Sequence, residues 1–238
     1  LCDEGYIWID EIPDCTGNNG SLTQNCFYEN DINVLQSIID NNIEIINPLL
    51  DENSNGILEP LELQCQVWEN GRLVDLDCVE IGCNLVGDLT PLFGELYELQ
   101  GLIFGYSGNP NVTNNLTSLP ESIGDLENLE RLEIYNNQLT TLPESIWDLS
   151  SLTYLDLSSN ELTEEISSEI ENLIHLHTLN LSNNQLNGEI PESICSIYES
   201  LPYWGIFDIS NNQLCPPYPE CLSEDDIGYQ DTSECLEC

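Results

Sequence analysis

Between residues 129 and 214 apolar side chains recur in one fixed order. An apolar residue is followed by a second three positions on and a third two further, then asparagine, then another apolar residue. The copies are Leu129-Leu132-Ile134-Asn137-Leu139, Leu152-Leu155-Leu157-Asn160-Leu162, Leu176-Leu179-Leu181-Asn184-Leu186 and Trp204-Phe207-Ile209-Asn212-Leu214, with asparagines 23, 24 and 28 residues apart. Alternation over the middle residues predicts a short strand in each copy, with one face inward and one outward. Two earlier copies are less regular. Leu73-Leu76-Cys78 reads as a first strand, with Cys83 in the asparagine position before Leu85. Leu99-Leu102-Phe104 reads as a second, its asparagine displaced to Asn114 by a Gly/Asn/Pro-rich insertion over Gly105 to Asn111. The matching tails Leu116 to Ile123 and Leu139 to Ile146 fix that alignment.

A period of roughly 20–29 residues with this order of leucines and asparagine is the leucine-rich-repeat signature. The fold class it predicts is an α/β solenoid: a short right-handed arc of about six repeats over residues 73–214, with a parallel concave sheet and disulfide-rich caps. The asparagine turns the chain inside the coil, where its amide bonds backbone groups that the turn leaves unpaired. Leucines and asparagines are therefore scaffold. The outward positions form a column on the concave face, Asp77, Ile103, Glu133, Asp156, Asn180 and Asp208, flanked by Arg131, Tyr135, Tyr154 and Ser158. Solenoids bind partners on such faces. Acids beside two tyrosines suit a basic peptide or, through calcium, a sugar.

The ends depart from the period. Residues 1–45 read as a Cys-rich segment with a short helix over 31–45, for which Asp31 is the expected N-cap. Residues 46–72 read as an N-terminal cap, with a helix from Leu61 to Trp68 stopped by Asn70-Gly71. Residues 215–238, opening with Cys215-Pro216-Pro217-Tyr218-Pro219-Glu220-Cys221, read as a C-terminal cap, since proline cannot continue a strand. Within the first cap, Asp51-Glu52-Asn53-Ser54-Asn55-Gly56-Ile57-Leu58-Glu59-Pro60-Leu61-Glu62 satisfies the spacing of a calcium-binding loop. Oxygens of Asp51, Asn53, Asn55, the Ile57 carbonyl, Glu59 and Glu62 would wrap a structural Ca2+, with Gly56 at the sharp turn. This stretch resembles an EF-hand or dockerin loop, although Pro60 and two asparagines depart from the richest form of either.

Composition narrows the partners. The chain has 44 acidic residues against two arginines and no lysine, a net charge of −42. That balance argues against nucleic acid or an anionic membrane surface, and favours cationic partners, divalent metals or a salty medium. No apolar run approaches the length of a transmembrane segment. The chain begins at Leu1 rather than methionine, as expected of a secreted product or a chain starting after a removed signal. Eleven cysteines, absent from Leu85 to Ile194, predict disulfides at both caps and an extracellular or cell-surface location. Their odd number makes Cys238 the candidate for an intermolecular disulfide. Asn19, Asn111, Asn115 and Asn180 stand in glycosylation sequons. His175 and His177 flank Leu176 with no evident third ligand, and no nucleophile meets a base, so no catalytic residue is assigned.

The tails Leu186-Asn187-Gly188-Glu189-Ile190-Pro191 and Leu85-Val86-Gly87-Asp88-Leu89 resemble the LxGxIP form of plant extracellular leucine-rich-repeat proteins, among them receptor ectodomains and polygalacturonase inhibitors. The Leu-Pro-Glu-Ser-Ile tails are similar to a shorter bacterial form, and the mixture resembles secreted repeat proteins of marine bacteria. The resemblance spans residues 61–235 and implies a non-enzymatic protein that binds a protein, peptide or glycan. A second reading makes the chain a structural subunit of an extracellular fibre or layer, self-assembling through solenoid ends, calcium and Cys238. The calcium loop yields a direct expectation. Calcium raises the melting temperature and EGTA reverses the rise, measured by scanning calorimetry; an unchanged melting temperature with no heat of calcium binding contradicts it.

Overall fold

The structure, a computed structural model, describes residues 6–8, 26–42, 60, 65–78, 85–105 and 114–235. The six calcium-loop positions from Asp51 to Glu62, Cys83, the insertion beyond Gly105, the sequons at Asn19 and Asn111, and Cys238 all lie outside the described residues. Strand β1 (Tyr6–Trp8) pairs antiparallel with β2 (Cys26–Tyr28), which leads into helix α1 (Glu29–Asn42). An antiparallel hairpin follows, β3 (Cys65–Glu69) and β4 (Arg72–Asp77). The coil then supplies β5 (Val86–Asp88), β6 (Gly101–Ile103), β7 (Asn115–Ser118), β8 (Arg131–Glu133), β9 (Tyr154–Asp156) and β10 (Thr178–Asn180). Helix α2 (Ile194–Ser200), β11 (Ile206–Asp208) and helix α3 (Glu224–Ile227) close it.

One seven-stranded sheet runs in the order β11-β10-β9-β8-β6-β4-β3, parallel throughout except at the β3–β4 hairpin. Each repeat thus contributes one strand beside its predecessor, as the period requires. Behind the sheet the core is a stack of inward leucines. Leu76, Leu102, Leu132, Leu155 and Leu179 are at most 1% exposed. Short 3₁₀ turns at Pro91–Glu95, Glu121–Asp125, Glu144–Asp148 and Ser168–Asn172 line the opposite side, burying Phe93, Ile123, Ile146 and Ile170. Serine rungs join neighbouring turns: Ser122 Oγ donates to the Pro91 carbonyl and Ser145 Oγ to the Glu121 carbonyl, both at 2.6 Å.

The asparagines form a continuous internal ladder. Asn160 accepts from the Leu139 N–H at 3.0 Å and donates to the carbonyls of Ile134 at 2.8 Å and Leu157 at 3.0 Å. Asn137, Asn184 and Asn212 repeat this pattern with Leu116, Leu162 and Leu186. The displaced Asn114 takes the same role, accepting from Leu85 N–H at 2.9 Å and donating to Phe104 at 3.1 Å. Residues Asn136, Ser159, Asn183 and Asn211, each just before a ladder asparagine, hold φ of 55–56°. Left-handed backbone of this kind is tolerated best by Gly and Asn.

Three local expectations are corrected. Helix α1 starts at Glu29, so Asp31 lies within its first turn instead of capping it. Asp31 is fully buried, accepting Arg72 Nε at 2.9 Å, Arg72 Nη2 at 3.2 Å and the Leu73 N–H at 2.9 Å. The stretch ending in Asn70-Gly71 is a strand rather than a helix over its described part, Cys65 to Trp68. Asn70 and Gly71 have φ of 51° and 77°, so the pair makes a hairpin turn, for which the Asn-Gly dipeptide is the strongest short signal. Trp204 occupies the position where Leu129, Leu152 and Leu176 are at most 1% exposed, yet is itself 57% exposed. The last inward packing there is taken by Phe207 against Tyr198, ring centroids 5.1 Å apart.

Both caps are tied down. Cys195–Cys221 and Cys215–Cys235 bridge the C-terminal side, and Cys78 at the N-terminal side is also disulfide-bonded. Beyond the last asparagine, Gln230 adds a final rung, accepting from Leu214 N–H at 3.2 Å and donating to Ile209 at 3.0 Å and Ile227 at 2.9 Å. Replacing Asn160 by alanine orphans a buried donor and a buried acceptor, at about 1–3 kcal/mol each. Urea unfolding of Asn160→Ala should show a loss of at least about 2 kcal/mol, against less than about 0.5 kcal/mol for Gln138→Ala on the exposed side. Equal losses contradict the ladder's role.

Candidate functional site

The strand register lays the outward side chains in two straight columns. One is Asp77, Ile103, Glu133, Asp156, Asn180 and Asp208; the other is Asp75, Gly101, Arg131, Tyr154, Thr178 and Ile206. Successive parallel strands place neighbours in each column about 4.8 Å apart. Tyr135 and Ser158 lie two residues beyond Glu133 and Asp156, and Ser182 and Ser210 continue that row.

Serines hold three members of the first column in one orientation. Ser158 donates through both N–H (2.9 Å) and Oγ (2.6 Å) to Asp156 Oδ1, and Ser210 does the same to Asp208 at 3.0 and 2.7 Å. At the intervening rung Ser182 binds Asn180 Oδ1 at 3.2 and 2.8 Å, while Asn180 Nδ2 reaches Asp156 Oδ2 at 3.2 Å. Neutral donors thus fix the rotamers of Asp156 and Asp208.

Arg131 sits at the centre. Its Nε donates to Glu133 Oε1, and its guanidinium lies 4.9 Å from the centroid of the Tyr154 ring, within cation–π range. Glu133 is only 6% exposed, and the ion pair with Arg131 is the contact that compensates its burial. Two glycines open the space. A Cβ at Gly101 would collide with the Asp75 carboxylate, and one at Gly105 with the Tyr135 ring, so each glycine is the floor on which that side chain rests.

Crowding shows in the acid–base properties. Burial pushes the Asp75 carboxyl above its usual range; Arg131 draws it back, while Glu69, Asp77 and Glu130 push it further up. Burial, followed by the charges of Glu133 and Asp156, also raises the Tyr135 and Tyr154 hydroxyls. Arg131 is raised as well, because the hydrogen bond and charge of Glu133 outweigh its partial burial. The site is thus a negative, aromatic-lined surface built round one arginine.

At its C-terminal end the second column turns apolar. Trp204 packs edge-on against His177, ring centroids 5.0 Å apart, and Ile206 is 50% exposed beside it. Reading Trp204 as scaffold and His177 as incidental missed this patch. The signal was present, since Trp204 replaces leucine at one repeat position only. A groove of about 230 Å³ elsewhere, lined by Leu142, Trp147, Glu144, Glu164 and Glu165, opens on the flank away from these columns. Among the described residues no group of three or more His, Cys, Asp or Glu side chains is arranged to hold a metal ion. No helix among them is long and apolar enough to cross a membrane.

Two stretches match family models, residues 112–162 that described as Leucine rich repeat and residues 175–197 that described as Leucine Rich Repeat. No curated protein sequence matches the chain. Among solved structures, a plant ice-binding protein is similar at 28% identity and a TM-score of 0.60, over 79% of this chain and 57% of that one. The ectodomain of the receptor kinase SOBIR1 from Arabidopsis thaliana is similar at 28% identity and a TM-score of 0.56, over 78% of this chain and 94% of that one. A structure titled PEPR1-AtPEP1 is similar at 26% identity and a TM-score of 0.55, over 80% of this chain but 29% of that one. The chain therefore spans little more than half of the ice-binding protein and under a third of PEPR1. Repeat pattern, asparagine ladder and these likenesses converge on a leucine-rich-repeat arc that resembles plant leucine-rich-repeat ectodomains.

Proposed function

We propose that this protein is an extracellular recognition module that binds a peptide or an extended protein segment on its concave sheet. The observation carrying this reading is the ordered face from Asp75 to Asp208. Its carboxylates are oriented by serines, its only arginine is paired with Glu133 and Tyr154, and two tyrosines supply flat contact surface. Tyrosine and arginine are the side chains that most often dominate binding energy at interfaces. The likeness to the ectodomain of the receptor kinase SOBIR1 and the disulfide-closed cap support the reading. Structural calcium in the Asp51 to Glu62 loop belongs to the same proposal, as a clamp on the N-terminal cap.

The negative face selects its ligand by charge. Complementary potentials steer encounter and reject like-charged partners. Selection of a random displayed peptide library on the immobilised protein should enrich lysine and arginine. Tyr154→Ala and Asp156→Asn should each weaken the selected peptides at least about tenfold, the effect of roughly 1.4 kcal/mol. Retention of full affinity by both variants, with melting temperatures unchanged, would rule out the concave face as the binding surface.

A further inference from the structure

Trp204 departs from the repeat in a way that the scaffold does not require. Leucine at this position in three other repeats is buried, whereas Trp204 turns out beside the sheet, with Tyr203 fully exposed next to it and Ile206 half-exposed on the outward face. Its ring is steadied by His177 at 5.0 Å. Clustered exposed apolar side chains of this size mark interaction surfaces more often than chance exposure. The cluster is continuous with the charged columns: Ile206 is in register with Thr178, Tyr154 and Arg131, and Asp208 with Asn180, Asp156 and Glu133. The Arg131–Tyr154–Thr178–Ile206 column therefore changes from charged and aromatic at β8–β9 to apolar at β11, while Asp208 keeps the neighbouring column acidic.

We infer that the ligand is bipartite, a peptide whose basic side chain meets the Glu133–Asp156 region and whose aromatic or large aliphatic side chain packs on Trp204 and Ile206. This rests on the concave-face reading and adds the ligand's chemistry to it. Spacing follows from the strands. From β8 to β11 is three steps of about 4.8 Å, or about 14 Å, which an extended chain covers in about four residues. The occupant is a cationic partner rather than a second copy of this chain. A copy would bring its own net charge of −42 against the same sign. A basic peptide gains from the field at one end and from apolar burial at the other. Desolvation of Trp204 supplies affinity that charge alone loses to salt.

The test uses a dye-labelled pentapeptide, Arg-Ser-Gly-Ser-Phe, and two relatives in which Arg or Phe is replaced by Ser, with affinity read by fluorescence anisotropy in 0.15 M salt. The two-anchor peptide should bind at least tenfold more tightly than either relative. Asp156→Asn should abolish the advantage given by Arg, and Trp204→Ala the advantage given by Phe. Both substituted side chains are partly or largely exposed, and circular dichroism confirms the fold. If Asp156→Asn weakens binding while Trp204→Ala does not, the concave reading stands and the bipartite ligand is overturned. If neither substitution matters, both fall. If Trp204→Ala changes the sedimentation coefficient of the unliganded protein, the patch joins copies of the chain, which also overturns the proposal.

Discussion

Every turn of this coil puts backbone N–H and C=O groups inside the molecule where no strand partner reaches them, and the asparagine ladder satisfies them. Each asparagine amide faces two ways, accepting from the leucine N–H of the preceding repeat and donating to carbonyls of that repeat and its own. One side chain thus fixes the pitch between adjacent rungs. Leucine burial supplies the driving force, at about 25 cal/mol per Å² of apolar surface, but it is non-directional. The ladder is what makes the stack regular, and regularity is what aligns the outward columns. Even the termini obey it, with Gln230 as a final rung and Asn42 accepting the Val86 N–H near the first.

In a chain with two cations, where each is spent is informative. Both arginines combine a carboxylate with a tyrosine ring. Arg72 binds Asp31 and stacks on Tyr28 at 4.2 Å, joining α1 to the first strand of the coil. Asp31 is buried, and a buried carboxylate without its partner is strongly destabilising, so this pair holds the cap in place. Arg131, with Glu133 and Tyr154, sits instead on the outward face with its side chain half-exposed. The same trio of groups holds the cap in one setting and lies half-exposed on the proposed binding face in the other, and solvent access makes the difference.

Legibility followed the period. Inward leucines, ladder asparagines, the displaced Asn114 and the alignment of Asp77 through Asp208 were all readable, because each is a position in a repeated pattern whose geometry is forced. What escaped was set by contacts between distant segments. Asp31 looked like a cap because its partner Arg72 is 41 residues away in sequence. Asn70-Gly71 looked like a helix stop because the strand before it shows no clean alternation. Trp204 looked like scaffold because the reading asked which positions were apolar and not which apolar residue filled them. Of the candidate site, membership of the face was legible. Its arrangement was not, since the Arg131–Glu133–Tyr154 grouping depends on side-chain direction across neighbouring strands.

Scaffold and proposed site fall on different positions: repeat positions carry stability, and outward or irregular positions are those proposed to bind. A saturation substitution scan that reads folded yield and peptide capture on the same variants tests that division directly. It should show the inward leucines and ladder asparagines losing folded yield. Asp75, Tyr154, Asp156, Trp204 and Ile206 should lose capture while staying folded. If the two sets of sensitive positions coincide, or if capture maps to the flank around Glu144 and Glu164, the division is contradicted.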